Sequence, residues 1–396
     1  MGIRMPATAG AVVISVLAVA SPGTTSPPPA AAPAAASITV IAGTDDDLTV
    51  QAQARVAALS LHEKAASVVM GHIPTTDTAA LRSYMQSSDA GGFILMGANI
   101  PGSEAALRTL TAALTLDPAL PPLIAVDEEG GDVTRLPWDR FPAAWQVRDD
   151  TPEIAGQAYA ARAALVQRAG IGVNFGVIAD VTDDSASFIY DRVLGTTPDA
   201  AAERVTAAVD GESGQVLTTL KHFPGHGAVE GNSHVMIPST PLSKAEWKKT
   251  DAVPFAAGID AGAPLLMFGH LAYTSVDRAP ASLSATWHEI ARDELGFTGV
   301  AITDDLGMLQ ASGVAAYADP VANAVQALVA GNDMVLAVMY TTPDSVRAIS
   351  DGIVAAVKDG TLSEDRLDEA AVRVMRLRLQ TAADGRGLLP CDSCGG

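Results

Sequence analysis

Residues 221–234 read Lys-His-Phe-Pro-Gly-His-Gly-Ala-Val-Glu-Gly-Asn-Ser-His and hold three of the chain's seven histidines. Imidazoles can move protons near neutral pH or ligate a metal. His222 and His226 have the i, i+4 spacing of a helical zinc pair. Pro224 and Gly225 exclude a helix there, so no metal is expected. His62, His72 and His288 read as core histidines. Two carboxylate runs supply complementary chemistry: Asp304-Asp305, and Asp127-Glu128-Glu129-Gly130-Gly131 with Arg135 close by. Hard cations need spaced, converging oxygens, whereas consecutive carboxylates diverge. One substrate hydrogen bond plus structural roles is expected for the second run. Side chains alternate along a strand, so one of Asp304 and Asp305 should face a site. The other suits a helix N-cap.

These residues sit where apolar runs end. Strands are predicted over 91–96, 122–126, 172–177, 215–220, 264–268, 299–303 and 333–337. Helices are predicted over 103–114, 153–169, 199–210, 251–261, 287–295, 320–330, 343–358 and 363–381. A further helix opens at the capping box Ser60-Leu61-His62-Glu63 and runs to about Met70. Continuous apolar strands alternating with helices indicate a parallel sheet buried on both faces. At least five strands end in polar residues or glycine. That favours one α/β chain folded as a TIM-like (β/α) barrel over an open doubly wound sheet, which gathers its polar residues at one switch point. The eighth strand is expected to be short, irregular or missing.

The chain has 396 residues, 48% of them hydrophobic and 18% charged, which permits a large core and excludes global disorder. A formal net charge of −20 repels phosphate backbones, so nucleic acid is not an expected partner. Arg4, the apolar stretch 9–20 and Ala18-Val19-Ala20 read as a signal peptide over 1–20, implying export. A Pro/Ala-rich tether follows over 21–45, then a barrel over 46–382 and a flexible tail over 383–396. The apolar stretch is too short to span a bilayer comfortably, so no stable membrane insertion is expected after cleavage. Cys391 and Cys394 lack the context of a redox motif or a zinc site and read as a small tail disulfide or free thiols.

Residues 221–227 with Ser233-His234 resemble the signature of the glycoside hydrolase family 3 β-N-acetylglucosaminidases. Asp127 to Arg135, Asn174 to Val181, Asp191-Arg192 and Ala301 to Met308 are similar to the family's other segments, in the same order. The resemblance covers about residues 50–380. It implies a retaining exo-glycosidase that removes terminal β-linked N-acetylglucosamine from cell-wall muropeptide or chitin-derived fragments. It implies Asp304 as nucleophile and His234 as acid/base. Asp127, Arg192, Lys221 and His222 would hold the sugar. The expected partner is a carbohydrate, with no cofactor, and the protein is expected to be a monomer.

Three positions depart from the family pattern. Asn232 stands where an Asp usually orients the histidine, Glu128 replaces Gln, and Asp132 replaces Arg. An amide accepts a hydrogen bond but brings no charge, so a lower pKa for His234 and a more acidic optimum are expected. Glu230 is the alternative partner for His234. A phosphorylase of the same family and a non-catalytic muropeptide-binding protein are the competing readings. Retained Asp304 and His234 argue against the latter.

Overall fold

All seven predicted apolar runs form strands, and an eighth completes a ring. The computed structural model describes residues 45–385. The expected signal peptide, nearly all of the tether, and Cys391 and Cys394 lie outside the described residues. The strands are β1 (Val69–Gly71), β2 (Gly92–Leu95), β3 (Leu123–Val126), β4 (Val173–Ile178), β5 (Leu217–Phe223), β6 (Ser239–Thr240), β7 (Leu265–Phe268), β8 (Ala272–Tyr273), β9 (Val300–Asp305) and β10 (Met334–Leu336). The closed parallel barrel runs β1-β2-β3-β4-β5-β7-β9-β10 and back to β1. β6 and β8 pair separately beside it. Among the described residues, no helix is long and apolar enough to cross a membrane.

β1 is the strand that sequence reading leaves open, and its position corrects a helix boundary. Ser60 and Glu63 do form a reciprocal capping box, but the helix stops at Ser67 rather than near Met70. Val68-Val69-Met70 is too short to show a strand period. Pairing on both sides decides it: Val69 lies opposite Val335, and Met70 opposite Gly92. Tertiary pairing thus overrides the local helical pattern. The predicted helix 287–295 is also divided, into Ala285–Glu289 and a wider π turn over Ile290–Glu294. Helices at Asp45–Ala57 and Thr78–Ser88 add to those expected, and the helix expected behind an Asp304-Asp305 cap spans Leu306–Ala311.

Alternate strand positions fill the barrel with Met70, Ile94, Ala125, Phe175, Met267 and Ile302, among others. Val374 and Leu377, from the last helix (Glu364–Ala383), join this inner cluster and close the barrel floor. A second buried layer of apolar side chains lies between strands and helices. The core therefore leaves the C-terminal ends of the strands as the open end.

The floor is locked by charge. Asp333 is fully buried just before β10 and meets Arg292, Arg366 at 2.8 Å and Arg373 at 3.0 Å. The Ala301 N–H also donates to it at 3.0 Å. Burial raises the Asp333 pKa, but the three arginines outweigh this and hold it below the usual range. Removing one member of such a buried pair leaves uncompensated charge. Asp333→Ala is expected to cost roughly 3–5 kcal/mol of stability, read as a lower urea midpoint, without altering the chemistry at the opposite end.

Candidate active site

A cavity of about 160 Å³ opens where β2, β3, β5, β7, β9 and β10 end. Asp127, Arg192, Lys221, His222, His234 and Asp304 all line it. The six side chains assigned by resemblance are thus brought together from five different loops or strand ends. Roomier clefts of about 270 and 410 Å³ lie by the last helix at the other end of the barrel, and no histidine lines them.

Strand alternation organises the β3 end. Asp127 and Glu129, two residues apart, both reach Lys221 Nζ, at 2.8 and 2.7 Å. Glu129 also accepts two hydrogen bonds from Arg192, each 2.8 Å. Burial raises the Glu129 pKa, but Arg192 and Lys221 outweigh this and hold it at about 2. Desolvation lowers the Lys221 pKa; Asp127 and Glu129 overcome it, and the net shift is upward. Arg192 sits on the 3₁₀ turn Tyr190–Arg192. Arg148 braces that turn, donating to the Tyr190 carbonyl at 2.7 Å and lying 4.1 Å over the Tyr190 ring.

Glu128, between the two, turns the other way and is fully buried. One of its oxygens accepts the N–H groups of Arg135 and Leu136 at 2.9 and 3.0 Å. Burial, with the Asp139 carboxyl beside it, pushes its pKa from 4.5 up to about 8. The protonated form of Glu128 is thereby favoured, and it carries one accepting oxygen and one hydroxyl. That is the hydrogen-bonding pattern of an amide, which accounts for Glu in place of Gln. Asp132 is exposed and does not line the cavity.

His222 is held by Asp180 at the end of β4. Its Nδ1 lies 2.7 Å from Asp180 Oδ2, and its N–H donates to both carboxylate oxygens at 3.2 Å. The same carboxylate accepts the His226 N–H at 2.6 Å. Burial raises the Asp180 pKa, but His222 and His226 outweigh it and the net shift is downward. His222 Nε2 then faces Arg192 at 3.4 Å. His226 points away to Ser233 Oγ, 3.1 Å from its Nε2. The two imidazoles do not converge on a common point. Among the described residues no cluster of metal-ligating side chains forms.

Asp304 and Asp305 divide as alternation requires. Asp305 caps the helix Leu306–Ala311 through Gly307 N–H at 3.0 Å, and accepts Val338 and Met339 N–H at 2.9 Å each. Burial still lifts its pKa to about 6. Asp304 faces the cavity. Burial raises its pKa too, but His222, His270, the Asp305 N–H and Lys221 outweigh this and keep it ionised. His270 is buried between Ser282 Oγ, 2.7 Å, and the Asp305 carbonyl, 2.9 Å.

His234 arrives on the loop after β5. Its Nδ1–H donates to Asn232 Oδ1 at 2.8 Å, and its backbone N–H to the same oxygen at 3.0 Å. Asn232, not Glu230, is the partner. With Nδ1 so engaged, Nε2 is left to exchange a proton. Desolvation lowers the His234 pKa, Asp304 opposes this, and the net shift is downward. The loop starts at Gly225, whose φ of +133° and contact with Asp251 leave no room for a Cβ. Sequence reading left Glu129 and Asp180 without roles. The i, i+2 relation of Glu129 to Asp127 was the available signal. Asp180 lay in the family-like segment Asn174 to Val181 and after a strand, which marked the position without giving its partner. His72 and His288 are buried as expected, whereas His62 is a surface residue near Asp351.

A carboxylate kept ionised and an imidazole lining one cavity, inside a ring of paired charges at a barrel mouth, are groups that a glycosidase can use. The profile of the Glycosyl hydrolase family 3 N terminal domain matches residues 60–377, and the chain belongs to that family. It is 35% identical over 284 residues to a β-hexosaminidase of Nitrosomonas eutropha, covering 68% of this chain and 79% of the relative. A β-hexosaminidase of Nitrosospira multiformis is 37% identical over 276 residues, 65% of this chain and 76% of the relative. The solved family 3 β-N-acetylglucosaminidase of a Paenibacillus species superposes with a TM-score of 0.76 at 31% identity. That match covers 85% of this chain and spans 65% of the solved one.

The neutral state of Glu128 has a measurable consequence. Its folded pKa is raised, so the native state loses stability as pH climbs from about 4.5 to about 8. Glu128→Gln keeps the hydrogen bonds without an ionisable proton. Melting temperatures of the two proteins should coincide near the acid end and diverge upward with pH in favour of Glu128→Gln. The underlying difference in unfolding free energy should reach on the order of a few kcal/mol above pH 8.

Proposed function

We propose that the chain is a retaining, exo-acting β-N-acetylhexosaminidase that releases terminal β-linked N-acetylglucosamine. The observation that carries this is the shared cavity in which Asp304, held ionised, and His234, with Nε2 available, stand among Asp127, Arg192, Lys221 and His222. Asp304 attacks the anomeric carbon while His234 Nε2–H protonates the departing oxygen. A glycosyl ester on Asp304 results. Neutral His234 then takes a proton from water, which attacks the same carbon and frees Asp304. Lys221 and Arg192, immobilised by Glu129, donate to sugar hydroxyls, and Asp127 and His222 complete the grip. Because Glu129 and Asp127 already neutralise both cations, the mouth is unattractive to a phosphate dianion. Water is therefore the acceptor we assign.

Cell-wall muropeptide or chitin-derived fragments are the substrates we assign, on the basis of the motif resemblance. The leader-like first 20 residues support export to the cell envelope or beyond. A chromogenic N-acetylglucosaminide tests the activity directly. The wild-type protein should turn it over, and Asp304→Ala should lose on the order of a thousandfold or more in kcat. Binding without turnover by the wild type would mark a sugar-binding protein instead. Sugar phosphate formed on adding phosphate would mark a phosphorylase.

Asn232 sets the pH response. The lowered pKa of His234 leaves little imidazolium at neutral pH, so the protonation step favours mildly acidic solution. Asn232→Asp places a negative charge at Nδ1 and should move the basic limb of the kcat/KM profile up by about one unit or more. An unchanged profile and rate would show that Asn232 does not tune His234.

A further inference from the structure

We propose that Phe188 is a positioning residue for His234: its ring clasps the arm 226–234 to the barrel and fixes where the imidazole exchanges its proton. The inference rests on His234 acting as acid/base. Phe188 lies on the loop between β4 and the helix Pro198–Glu212. Its ring meets two histidines edge-on, with centroids 4.7 Å and 70° from His226 and 6.4 Å and 87° from His234. The Arg192 guanidinium lies 5.8 Å from the same ring. One aromatic ring thus touches the root of the arm, its tip, and the cation that grips the sugar.

The arm's other holds explain why this contact matters. His226 is buried and fixed to the barrel through Asp180, and its Nε2 lies against Ser233 Oγ, next to His234. That bond draws the far end of the arm back onto its root. Both hydrogen bonds made by His234 go to Asn232, two residues away in the same arm. They shape the arm but do not tie it to the barrel. Among the described ring and hydrogen-bond contacts of His234, the one with Phe188 reaches another segment. Beyond it, Val235 and Met236 are exposed and provide no anchor. Edge-to-face geometry fixes ring orientation as well as distance. A proton donor displaced by about 1 Å can lose on the order of a hundredfold in rate.

The test separates proton donation from sugar binding. A dinitrophenyl N-acetylglucosaminide has a leaving group stable as an anion, so its departure needs no proton. A methylumbelliferyl or alkyl glycoside needs one. In Phe188→Ala, kcat/KM should fall by about tenfold to a hundredfold for the second kind and stay within about twofold for the first. Phe188→Tyr, which keeps the ring, should restore the wild-type pattern. Ser233→Ala, which cuts the His226 bond and leaves Phe188 in place, should show the same selective loss in milder form. Phe188 is partly exposed, so the melting curve of Phe188→Ala should stay close to wild type; if Phe188→Ala does not fold, Phe188→Leu and Ser233→Ala carry the same comparison. An equal fall for both leaving groups would show Phe188 acting through Arg192 on sugar binding, and no fall for either would show no role. Either result overturns the clasp. A wild-type protein that cleaves neither glycoside would overturn the glycosidase reading itself.

Discussion

Lys221 is a cation buried at the end of a barrel strand, and it has to be neutralised where water cannot reach. Asp127 and Glu129 do this from alternate positions at the end of β3, across the intervening strand β4. Much of the mouth follows from that one arrangement. Glu129 has a second pair of lone-pair directions to fill, and Arg192 fills them with a two-pronged contact. Arg192 then faces His222, whose other nitrogen is anchored by Asp180. The chain of contacts runs from β3 through β4 to β5. Each member is fixed by charge before any sugar arrives. Such prior ordering lowers the cost of arranging donors around any ligand that enters the mouth.

The same neighbourhood sorts its carboxyl groups into two states. Asp304, Glu129 and Asp180 are buried beside cations or imidazoles and stay ionised. Glu128 and Asp305 are buried beside backbone N–H groups and another carboxyl, and their pKa values rise. Burial pushes all five upward; what differs is the charge of the neighbour. Asp304 and Glu129 bring anionic carboxylates to the cavity, Asp180 stands behind it under His222, and Asp305 spends its oxygens on backbone N–H groups at the cavity wall. Strand alternation produces this sorting in both runs, Asp127-Glu128-Glu129 and Asp304-Asp305, because adjacent residues face opposite sides.

The sequence made most of this legible, and the misses have physical causes. Seven strands showed as continuous apolar runs, since parallel barrel strands are buried on both faces. β1 did not, because three residues following a helix carry no period, and its identity depends on β2 and β10. The cavity-lining residues were recognisable because motif and strand end coincide at Lys221-His222, Asp127 and Asp304. Arg192 was reached by motif alone, as it lies on a turn well past its strand. Glu129 and Asp180 were missed as partners because a carboxylate's role depends on which side chain it meets, and Lys221, Arg192 and His222 all come from other segments. Phe188 was invisible for a similar reason. Nothing local distinguishes a phenylalanine in a loop from one that faces two histidines across a gap in the chain.

The two informative departures from the family pattern behave differently because of where they sit. Glu128 is sealed behind β3, where desolvation disfavours the charge that distinguishes it from glutamine. Its substitution is absorbed by the environment. Asn232 is exposed on the arm, in direct contact with His234, and an amide there cannot acquire the charge it lacks. The arm must then hold its histidine by shape rather than by ionic attraction. Ring packing on Phe188 and the His226–Ser233 bond provide shape but no compensating field, so the geometry of the imidazole is secured while its proton affinity remains low.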